Sequence, residues 1–238
     1  MAPDGEVFSA DLGLHFVAAD EHWVVEPFAV DPGSWVAFVP ENRDPSVDPS
    51  IALAKILGTL EPPIGGEVRV LGKRIDEMTT RRLQRLRAEI GYVHSYGGLL
   101  NNRSVRDNIA LPLSVHKRVR AEREGALVDE LLGELDLATL ANKRPFELSG
   151  AARWRTCVAR AITLDPSWLV IEGLQMASTK GHSSVEWDCL RRRRDRYQLA
   201  MAVCFSRENP SAERWFERQG GEILRYTRAP RVRPTVRP

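Results

Sequence analysis

Three segments of this sequence carry side chains that could bind phosphate or a divalent cation. Glu172 follows the apolar run Trp168-Leu-Val-Ile171, and a carboxylate at a strand end can hold a magnesium ion or polarise a water molecule. Ser149 and Gly150 open a predicted helix, whose first N–H groups could face a bound anion. Ser50 opens a second predicted helix, directly after a polar loop. The three segments would suit nucleotide chemistry if that loop could hold phosphate.

The polar loop from Pro40 to Ser50 lacks what a phosphate-binding loop needs. Such a loop uses glycines, so that backbone N–H groups can approach the phosphates, and a lysine that reaches the terminal phosphates. The loop contains neither residue, and the pattern GxxxxGK[ST] does not occur anywhere in the chain. The nearest lysine, Lys55, lies within the following helix and is interpreted as a surface residue. Prolines lack an N–H donor and aspartates repel a triphosphate, so five residues oppose binding: Pro40, Pro45, Pro49, Asp44 and Asp48.

The elements that must position these residues are short apolar strands and amphipathic helices, and their alternation predicts the α/β class with a mainly parallel sheet. The predicted strands are Val7–Phe8, Leu14–Val17, Trp23–Val30, Trp35–Val39, Glu67–Leu71, Ile90–Val93, Trp168–Ile171 and Leu199–Phe205. The predicted helices are Ile51–Leu57, Thr79–Ala88, Ala121–Leu140, Gly150–Leu164 and Val185–Arg196. Ser50 and Ser104 are predicted helix caps, and the acid three residues after Ser104 would complete a capping box.

Length and composition favour one globular domain. The chain has 238 residues and a net charge of +2, which gives little reason to expect nucleic-acid binding. It has no apolar stretch long enough for a membrane span, and its three cysteines form no CxxC pair, so the expectation is a reduced, cytosolic chain. Arginines and prolines from Arg225 onward predict a basic disordered tail. We assign residues 1–226 to the domain, about 95–165 to a helical subdomain, and 227–238 to the tail.

The segment around Ser149 resembles a known family. Leu148-Ser-Gly150, the helix that continues to Val158-Ala-Arg-Ala-Ile162, and Leu164-Asp-Pro166 resemble the signature region of ABC ATPases. Gly97-Gly-Leu-Leu100 and the helix Ser104-Val-Arg-Asp-Asn-Ile109 with Pro112-Leu113 are most similar to the ATPase of Mla/Mce-type lipid transporters. The resemblance covers roughly residues 7–226. It implies an ABC-type P-loop NTPase fold, with a mainly parallel core, an antiparallel β subdomain and a helical subdomain.

The same resemblance implies that the residues which hold and hydrolyse ATP are replaced. Ser50 stands where the family has its lysine, and Ile51 where it has the magnesium-binding serine or threonine. Glu172 and Gly173 stand where the family has an aspartate and the catalytic glutamate. Loss of a general base alone lowers a rate by about 10²–10⁴. We therefore predict no catalytic residue and no metal ligand, and interpret Glu172 as a strand-end carboxylate exposed to water.

Two sensor positions of the family are also changed. His94 stands where the family has a glutamine, and Arg207 where it has the switch histidine. We assign His94 no chemistry and interpret Arg207 as a solvated arginine. The run Arg191-Arg-Arg-Arg194 is interpreted as the solvated end of a helix, since consecutive helical residues point in different directions.

Contact surfaces are better preserved than the chain's own nucleotide site. The resemblance implies that Ser149 and Gly150 face the ATP bound by a partner ATPase, and the alternative is that Ser149 simply caps its helix. It also implies that a permease docks on the segment from Tyr96, and the candidate contacts are Tyr96, Leu99, Leu100, Val105 and Leu111. The expected partners are an integral-membrane permease and a second ABC ATPase, in a homodimer or heterodimer. ATP and magnesium are expected only where such a partner binds them.

Three functions remain open from the sequence. The first is a non-catalytic ABC-type subunit of a membrane lipid transporter, peripheral on the inner face of the cell membrane. The second is a divergent active ATPase that uses Glu172 and Arg207. The third is an interaction or regulatory protein that has no transporter partner.

Overall fold

The computed structural model describes residues 5–41, 46–95, 97–117, 120–174 and 185–229, which form two sheets and seven α-helices. A seven-stranded sheet has the order β2-β3-β11-β5-β10-β9-β8, and a four-stranded sheet has the order β4-β1-β6-β7. The strands are β1 Phe8–Ala10, β2 Leu14–Ala18, β3 Glu21–Val25, β4 Phe28–Val30, β5 Trp35–Pro40, β6 Arg69–Val70, β7 Lys73–Arg74, β8 Ile90–Val93, β9 Trp168–Leu174, β10 Ala200–Phe205 and β11 Glu222–Arg228. The predicted α/β class is confirmed.

The centre of the large sheet is parallel. Strands β11, β5, β10, β9 and β8 pair in parallel, while β2, β3 and β11 pair antiparallel at the other edge. Every residue of β5 and of β10 is buried, as expected for apolar strands covered on both faces. Because parallel strands end at the same edge, the segments after β5, β8, β9 and β10 lie along one side of the sheet.

The small antiparallel sheet corrects one predicted strand. Trp23–Val30 is interrupted, and its two halves belong to different sheets: β3 pairs with β2 and β11, whereas β4 pairs with β1. The break falls at Glu26 and Pro27. Proline cannot donate to a strand ladder, so the chain can leave one sheet there and enter the other.

The helices are α1 Ser50–Leu57, α2 Thr80–Leu86, α3 Val105–His116, α4 Ala121–Glu134, α5 Gly150–Ile162, α6 Val185–Tyr197 and α7 Pro210–Arg218. The capping box of α3 is confirmed, because the Ser104 hydroxyl accepts from Asp107 N and the Asp107 carboxylate accepts from Ser104 N. The predicted helix Ala121–Leu140 is too long. Asp136 has a φ of +51°, which ends the helix, and a short 3₁₀ helix follows at Ala138–Leu140.

The C-terminal segment corrects the predicted start of the tail. Strand β11 runs from Glu222 to Arg228, parallel to β5 and antiparallel to β3, so Arg225 to Arg228 are ordered in the sheet. The arginines of β11 concealed this strand from sequence analysis. Their side chains are exposed although the strand is internal, and they pair with acids: Arg225 with Glu213 at 2.6 Å and Arg228 with Glu21 at 2.5 Å. Most of the predicted tail, residues 230–238, lies outside the described residues.

Two apolar clusters hold the fold together, one on each face of the large sheet. One packs α3, α4, α5, α6 and α7 against β5, β9 and β10, and the other packs α1 and the small sheet against the opposite face. Within the described ranges, no helix has both the length and the apolar character needed to cross a bilayer.

Candidate functional site

The candidate site lies where the pairing between β8 and β9 ends. These strands are parallel, with Tyr92 opposite Val170 and Val93 opposite Ile171, so that His94 and Glu172 follow the last paired residues. The Glu172 residue is only 4% exposed. The interpretation of Glu172 as a carboxylate exposed to water is therefore wrong, and its burial requires partners.

Both oxygens of Glu172 are engaged by neighbours from the β8 end. Oε2 accepts from the Tyr92 hydroxyl at 2.6 Å and lies 3.3 Å from Nδ1 of His94. Oε1 accepts from the Ser95 hydroxyl at 2.6 Å and from the Ser95 backbone N–H at 3.4 Å. A carboxylate has about four lone-pair sites, so these four contacts use its capacity to accept. We refer to Tyr92, His94, Ser95 and Glu172 as the Glu172 cluster.

The Glu172 cluster keeps its carboxylate ionised. Burial raises the pKa of Glu172, but the hydrogen bonds from His94, Ser95 and Tyr92 outweigh burial and lower that pKa from 4.5 to about 2. For Tyr92, burial and the hydrogen bond to Glu172 both act in the same direction and raise the pKa of the phenol above its ordinary value. Hence Tyr92 stays a hydrogen-bond donor and Glu172 an acceptor at neutral pH.

Gly173 leaves no room for a side chain next to Glu172. Its φ is +55°, in the region that favours glycine, and a Cβ at this position would lie 2.9 Å from Cβ of Ser95. The same Cβ would lie 3.7 Å from Oγ of Ser50, which shows that α1 begins beside the Glu172 cluster. The structure therefore brings together four of the predicted site positions: Ser50, His94, Glu172 and Gly173.

Asp48 hydrogen-bonds to Ser50 at the start of α1. The Asp48 carboxylate accepts from the Ser50 hydroxyl at 2.6 Å and from the Ser50 backbone N–H at 3.0 Å. Ser50 is the first residue of α1 and is fully buried, so the prediction that Ser50 itself caps the helix is wrong. Pro49 occupies the N-cap position, and the Asp48 carboxylate accepts from the first helical N–H, that of Ser50. Ile51 is half-buried and offers no polar atom. Residues 42–45, which include Asp44, lie outside the described residues.

The other basic residues near these positions were predicted to be solvated at the surface. Lys55 pairs with Glu61 at 2.6 Å near the surface, which agrees with its interpretation as a surface residue. Arg207 is exposed, in the segment after β10. In the run 191–194, however, Arg193 is only 12% exposed and pairs with Asp165 and Glu134, and Arg194 lies 4.7 Å above the ring of Trp35. The prediction that the whole run is solvated is wrong, because two of its members serve the helix packing.

The N-terminus of α5 faces the surface. Ser149 Oγ accepts from Ala152 N at 3.2 Å, which confirms its role as a helix cap. Ser149, Gly150 and Ala151 are exposed, and a Cβ at Gly150 would meet nothing within 4 Å. The cap and an exposed anion-binding face are compatible, so the contact with a partner's nucleotide stays a prediction.

The glycine loop after β8 is held by α5 and by a buried asparagine. Gly97 and Gly98 have φ values of +84° and +54°, and their carbonyls accept from the Arg160 guanidinium at 3.1 and 2.7 Å. Asn108 is fully buried; its Oδ1 accepts from Leu100 N at 2.8 Å and its Nδ2 donates to Ser104 O at 2.8 Å. These contacts fix the path of residues 97–104.

A groove opens beside this loop. It has a volume of about 390 Å³ and is lined by Leu100, Leu111, Pro112, Val115, Leu164 and Arg160 among others. Leu100 is 41% exposed and Val115 64% exposed. Of the other predicted permease contacts, Leu99 is half-buried against the core and Tyr96 lies outside the described residues. Val105 is fully buried, so the prediction that it contacts a permease is wrong for its side chain.

Two residues of the site, Tyr92 and Ser95, were not predicted from the sequence, and Asp48 was predicted only to repel phosphate. The strand Ile90–Val93 alternates half-buried and buried residues, and a tyrosine in its half-buried row gives no local sign that it reaches a carboxylate 80 residues away. Asp48 two residues before Ser50 was a readable capping signal. Among the described residues there is no group of three or more histidine, cysteine, aspartate or glutamate side chains placed to hold a metal ion.

Comparison with known proteins agrees with this architecture. The family described as "ABC transporter" matches residues 52–172. The lipoprotein-releasing system ATP-binding protein LolD of Chromohalobacter salexigens is 34% identical over 134 residues, which cover 55% of this chain and 56% of that protein. The methionine import ATP-binding protein MetN of Mesorhizobium japonicum is 39% identical over 118 residues, or 50% of this chain and 32% of that protein. The chain thus spans about half or less of the length of these relatives.

A solved structure matches nearly the whole chain. It is described as the dimeric structure of a post-hydrolysis state of the ATP-binding cassette MJ0796 bound to ADP and Pi, and it has a TM-score of 0.72. The match covers 92% of this chain and 93% of that one at 20% sequence identity. At this identity the likeness establishes the fold alone, including the antiparallel β subdomain and the helical elements.

Proposed function

The chain belongs to the ABC transporter family, and on that premise we propose that it is a non-catalytic subunit of a membrane lipid transporter. The observation that carries the proposal is the Glu172 cluster, in which the Glu172 carboxylate of β9 is buried and hydrogen-bonded within the protein through both of its oxygens. A carboxylate in this state is a structural acceptor. It has no lone pair left for a magnesium ion or an attacking water.

The residues around the cluster do not fit ATP with magnesium. The Ser50 hydroxyl, at the start of α1, donates to Asp48, and the aspartate adds negative charge where a triphosphate would lie. The loop from Pro40 to Ser50 contains no glycine and no lysine. Gly173 cannot be exchanged for a carboxylate without a clash with Ser95. We therefore propose no ATP hydrolysis at this site.

The groove between the glycine loop and α3 supports the proposed docking on a permease. Its lining is largely apolar, with Leu100, Leu111 and Val115 accessible. Arg87 and Arg160 add positive charge to the lining. Exposed apolar residues gathered in a groove are typical of a surface that receives an amphipathic helix. Since Asn108 and Arg160 fix the loop, the groove exists before a partner binds, which lowers the entropic cost of association.

The exposed N-terminus of α5 supports pairing with an active ATPase. Ser149 and the first N–H groups of α5 are exposed and could face the nucleotide of a partner subunit. In a homodimer both subunits would carry the closed Glu172 cluster, whereas a heterodimer would contain one subunit able to hydrolyse ATP. We therefore favour the heterodimer. The proposed location is the cytoplasmic face of the membrane, on the permease.

Lipid as the transported substrate is supported by the sequence of the docking segment. The residues from Gly97 to Leu113 resemble the corresponding segment of Mla/Mce-type transporters, and four of them line the groove: Gly98, Leu100, Leu111 and Pro112. Among the curated relatives, one is named for lipoprotein release and others for methionine import. The lipid assignment therefore rests on the docking segment.

The proposal is tested first with the purified chain. We expect no ATP hydrolysis above a buffer blank, and no magnesium-dependent change in nucleotide affinity by calorimetry. Magnesium-dependent binding with turnover would support the divergent ATPase, and Glu172→Gln should then abolish that turnover. If the chain shows no turnover and a salt wash also releases it from permease-containing membranes, the third hypothesis is supported, an interaction protein without a transporter. Retention through the wash, with a permease and a second ATPase identified by mass, is the result we expect.

A further inference from the structure

A second concave site lies between the β6–β7 hairpin and α2. Its volume is about 660 Å³, within the range of sites that take small ligands. Five of its lining residues are cationic and two are acidic, so the lining carries a formal charge of +5 − 2 = +3. The cationic residues are Arg69, Lys73, Arg74, Arg82 and Arg85. The lining is thus cationic, although the whole chain has a net charge of only +2.

Two of the five cations are structural. Arg74 pairs with Asp76 at 2.6 Å, with Glu77 at 3.1 Å and with Glu67 at 3.2 Å. Arg69 pairs with Glu67 at 2.7 Å. These pairs join the hairpin to the segment that leads into α2, and therefore shape one wall of the cavity. Glu77, one of the two acids in the lining, is already engaged by Arg74.

The other three cations are available to a ligand. Lys73, Arg82 and Arg85 are exposed, and none of them forms an ion pair within the ranges that the structure describes. Arg82 and Arg85 are three residues apart on α2 and therefore share one helix face, while Lys73 faces the cavity from the hairpin. Met78 and Leu86 provide apolar lining between these charges, and low-dielectric walls strengthen the field in a cleft.

We propose that this cavity binds a soluble anion that carries two or more phosphate groups. Two guanidinium groups can each bind a phosphate through paired hydrogen bonds, and the lysine adds a point charge from the opposite side. Three unpaired cations on two elements match a chain of linked phosphates better than a single monoanion. The cavity shares no residue with the Glu172 cluster or with the groove at Val115, so the inference does not depend on the proposed function.

The test uses inorganic tripolyphosphate as the probe, with the full chain and titration calorimetry up to about 1 mM ligand. We expect saturable binding in the absence of magnesium, weakened at least about tenfold by Arg82→Gln with Arg85→Gln, and weakened by Lys73→Gln. The matched control is Arg81→Gln, an exposed arginine of the same helix that does not line the cavity. Absence of binding at this concentration, or equal losses in the control and the double variant, would overturn the proposal.

Two further arms identify the source of the phosphates. Flotation with phosphatidylcholine vesicles, with and without about one-tenth phosphoinositide bisphosphate, shows whether the same arginines prefer a membrane surface. One outcome is that the chain binds these vesicles through Arg82 and Arg85 but does not bind tripolyphosphate. The ligand would then be a lipid headgroup, and the proposal of a soluble anion would be overturned. ATP binding that disappears in the double variant belongs to this cavity. ATP binding that persists in it counts against the proposed non-catalytic function alone.

Discussion

The Tyr92 hydroxyl donates to Glu172 Oε2 at 2.6 Å, across two parallel strands that end at the same edge of the sheet. This bond, with the two from Ser95, turns the carboxylate inward and leaves it 4% exposed. In a nucleotide site, a carboxylate at this position would bind metal. In this chain, the Glu172 carboxylate instead joins β9 to Tyr92 and Ser95 of the neighbouring chain segment. In the proposed non-catalytic subunit, internal contacts take the place of nucleotide contacts at this position.

The first prediction concerns the dependence of stability on pH. The pKa of Glu172 is lowered from 4.5 to about 2 in the folded chain, so its contribution is present above pH about 4.5 and is lost as the pH falls toward 2. That contribution is on the order of 2–3 kcal/mol of unfolding free energy. Urea unfolding at pH 7, 5 and 3 should therefore show a larger acid loss for the parent than for Glu172→Gln. Parallel losses in both proteins would show that the carboxylate is not held in this way.

The second prediction is that a glutamate at position 173 does not restore catalysis. Gly173→Glu places a Cβ about 2.9 Å from Cβ of Ser95, at a φ of +55°. We expect a loss of about 2–4 kcal/mol in unfolding free energy and no ATP turnover. Gly125→Ala is the matched control, because a Cβ there meets nothing within 4 Å and alanine is the better helix former. A folded Gly173→Glu protein that hydrolyses ATP would contradict the prediction.

The sequence predicts local features of this protein better than its long-range contacts. The apolar runs of β5 and β10 and the capping box of α3 are signals carried within a few residues, and the structure confirms them. The state of Glu172 could not be predicted in the same way. Its partners Tyr92 and Ser95 lie 80 and 77 positions away, and become neighbours only because β8 and β9 pair in parallel.

The arginine-rich segments illustrate the same limit. A run of arginines is usually solvated, and nothing local distinguishes Arg193 from Arg192. The partners of Arg193 are Glu134 at the end of α4 and Asp165 before β9, both distant in sequence. Likewise, Arg225 belongs to a strand only because β5 and α7 lie beside it. From charge composition we therefore predicted a disordered tail and a solvated run of arginines. The packing of the sheet and helices instead gives Arg193 and Arg225 specific partners.

The third prediction separates these neighbouring arginines. Arg193→Ala removes a guanidinium that is 12% exposed and leaves Glu134 and Asp165 without their common partner. Because Asp165 is itself half exposed, we expect a loss of about 2 kcal/mol, less than for a fully buried pair. Arg192→Ala, at an exposed position of the same run, should change the unfolding free energy by less than about 0.5 kcal/mol. Equal effects of the two substitutions, by chemical denaturation, would contradict the assignment.

The fourth prediction tests the groove as the docking surface. Val115→Glu introduces a charge on the exposed face of α3, where the parent side chain is 64% exposed in the groove. A charge buried against an apolar partner helix is costly, so we expect a loss of about 2 kcal/mol or more in association, seen as release from permease-containing membranes. The stability of the isolated chain should be nearly unchanged, because the position faces solvent.

The control for that experiment is Val17→Glu. Val17 is 50% exposed on β2, at the opposite edge of the large sheet, and lies outside the groove. Both substitutions replace an exposed valine by glutamate and change the net charge equally, so a purely electrostatic effect on membrane retention would appear in both. Selective loss with Val115→Glu supports docking through the groove. Retention of the Val115→Glu chain at the level of the parent would show that a permease, if bound, uses another face.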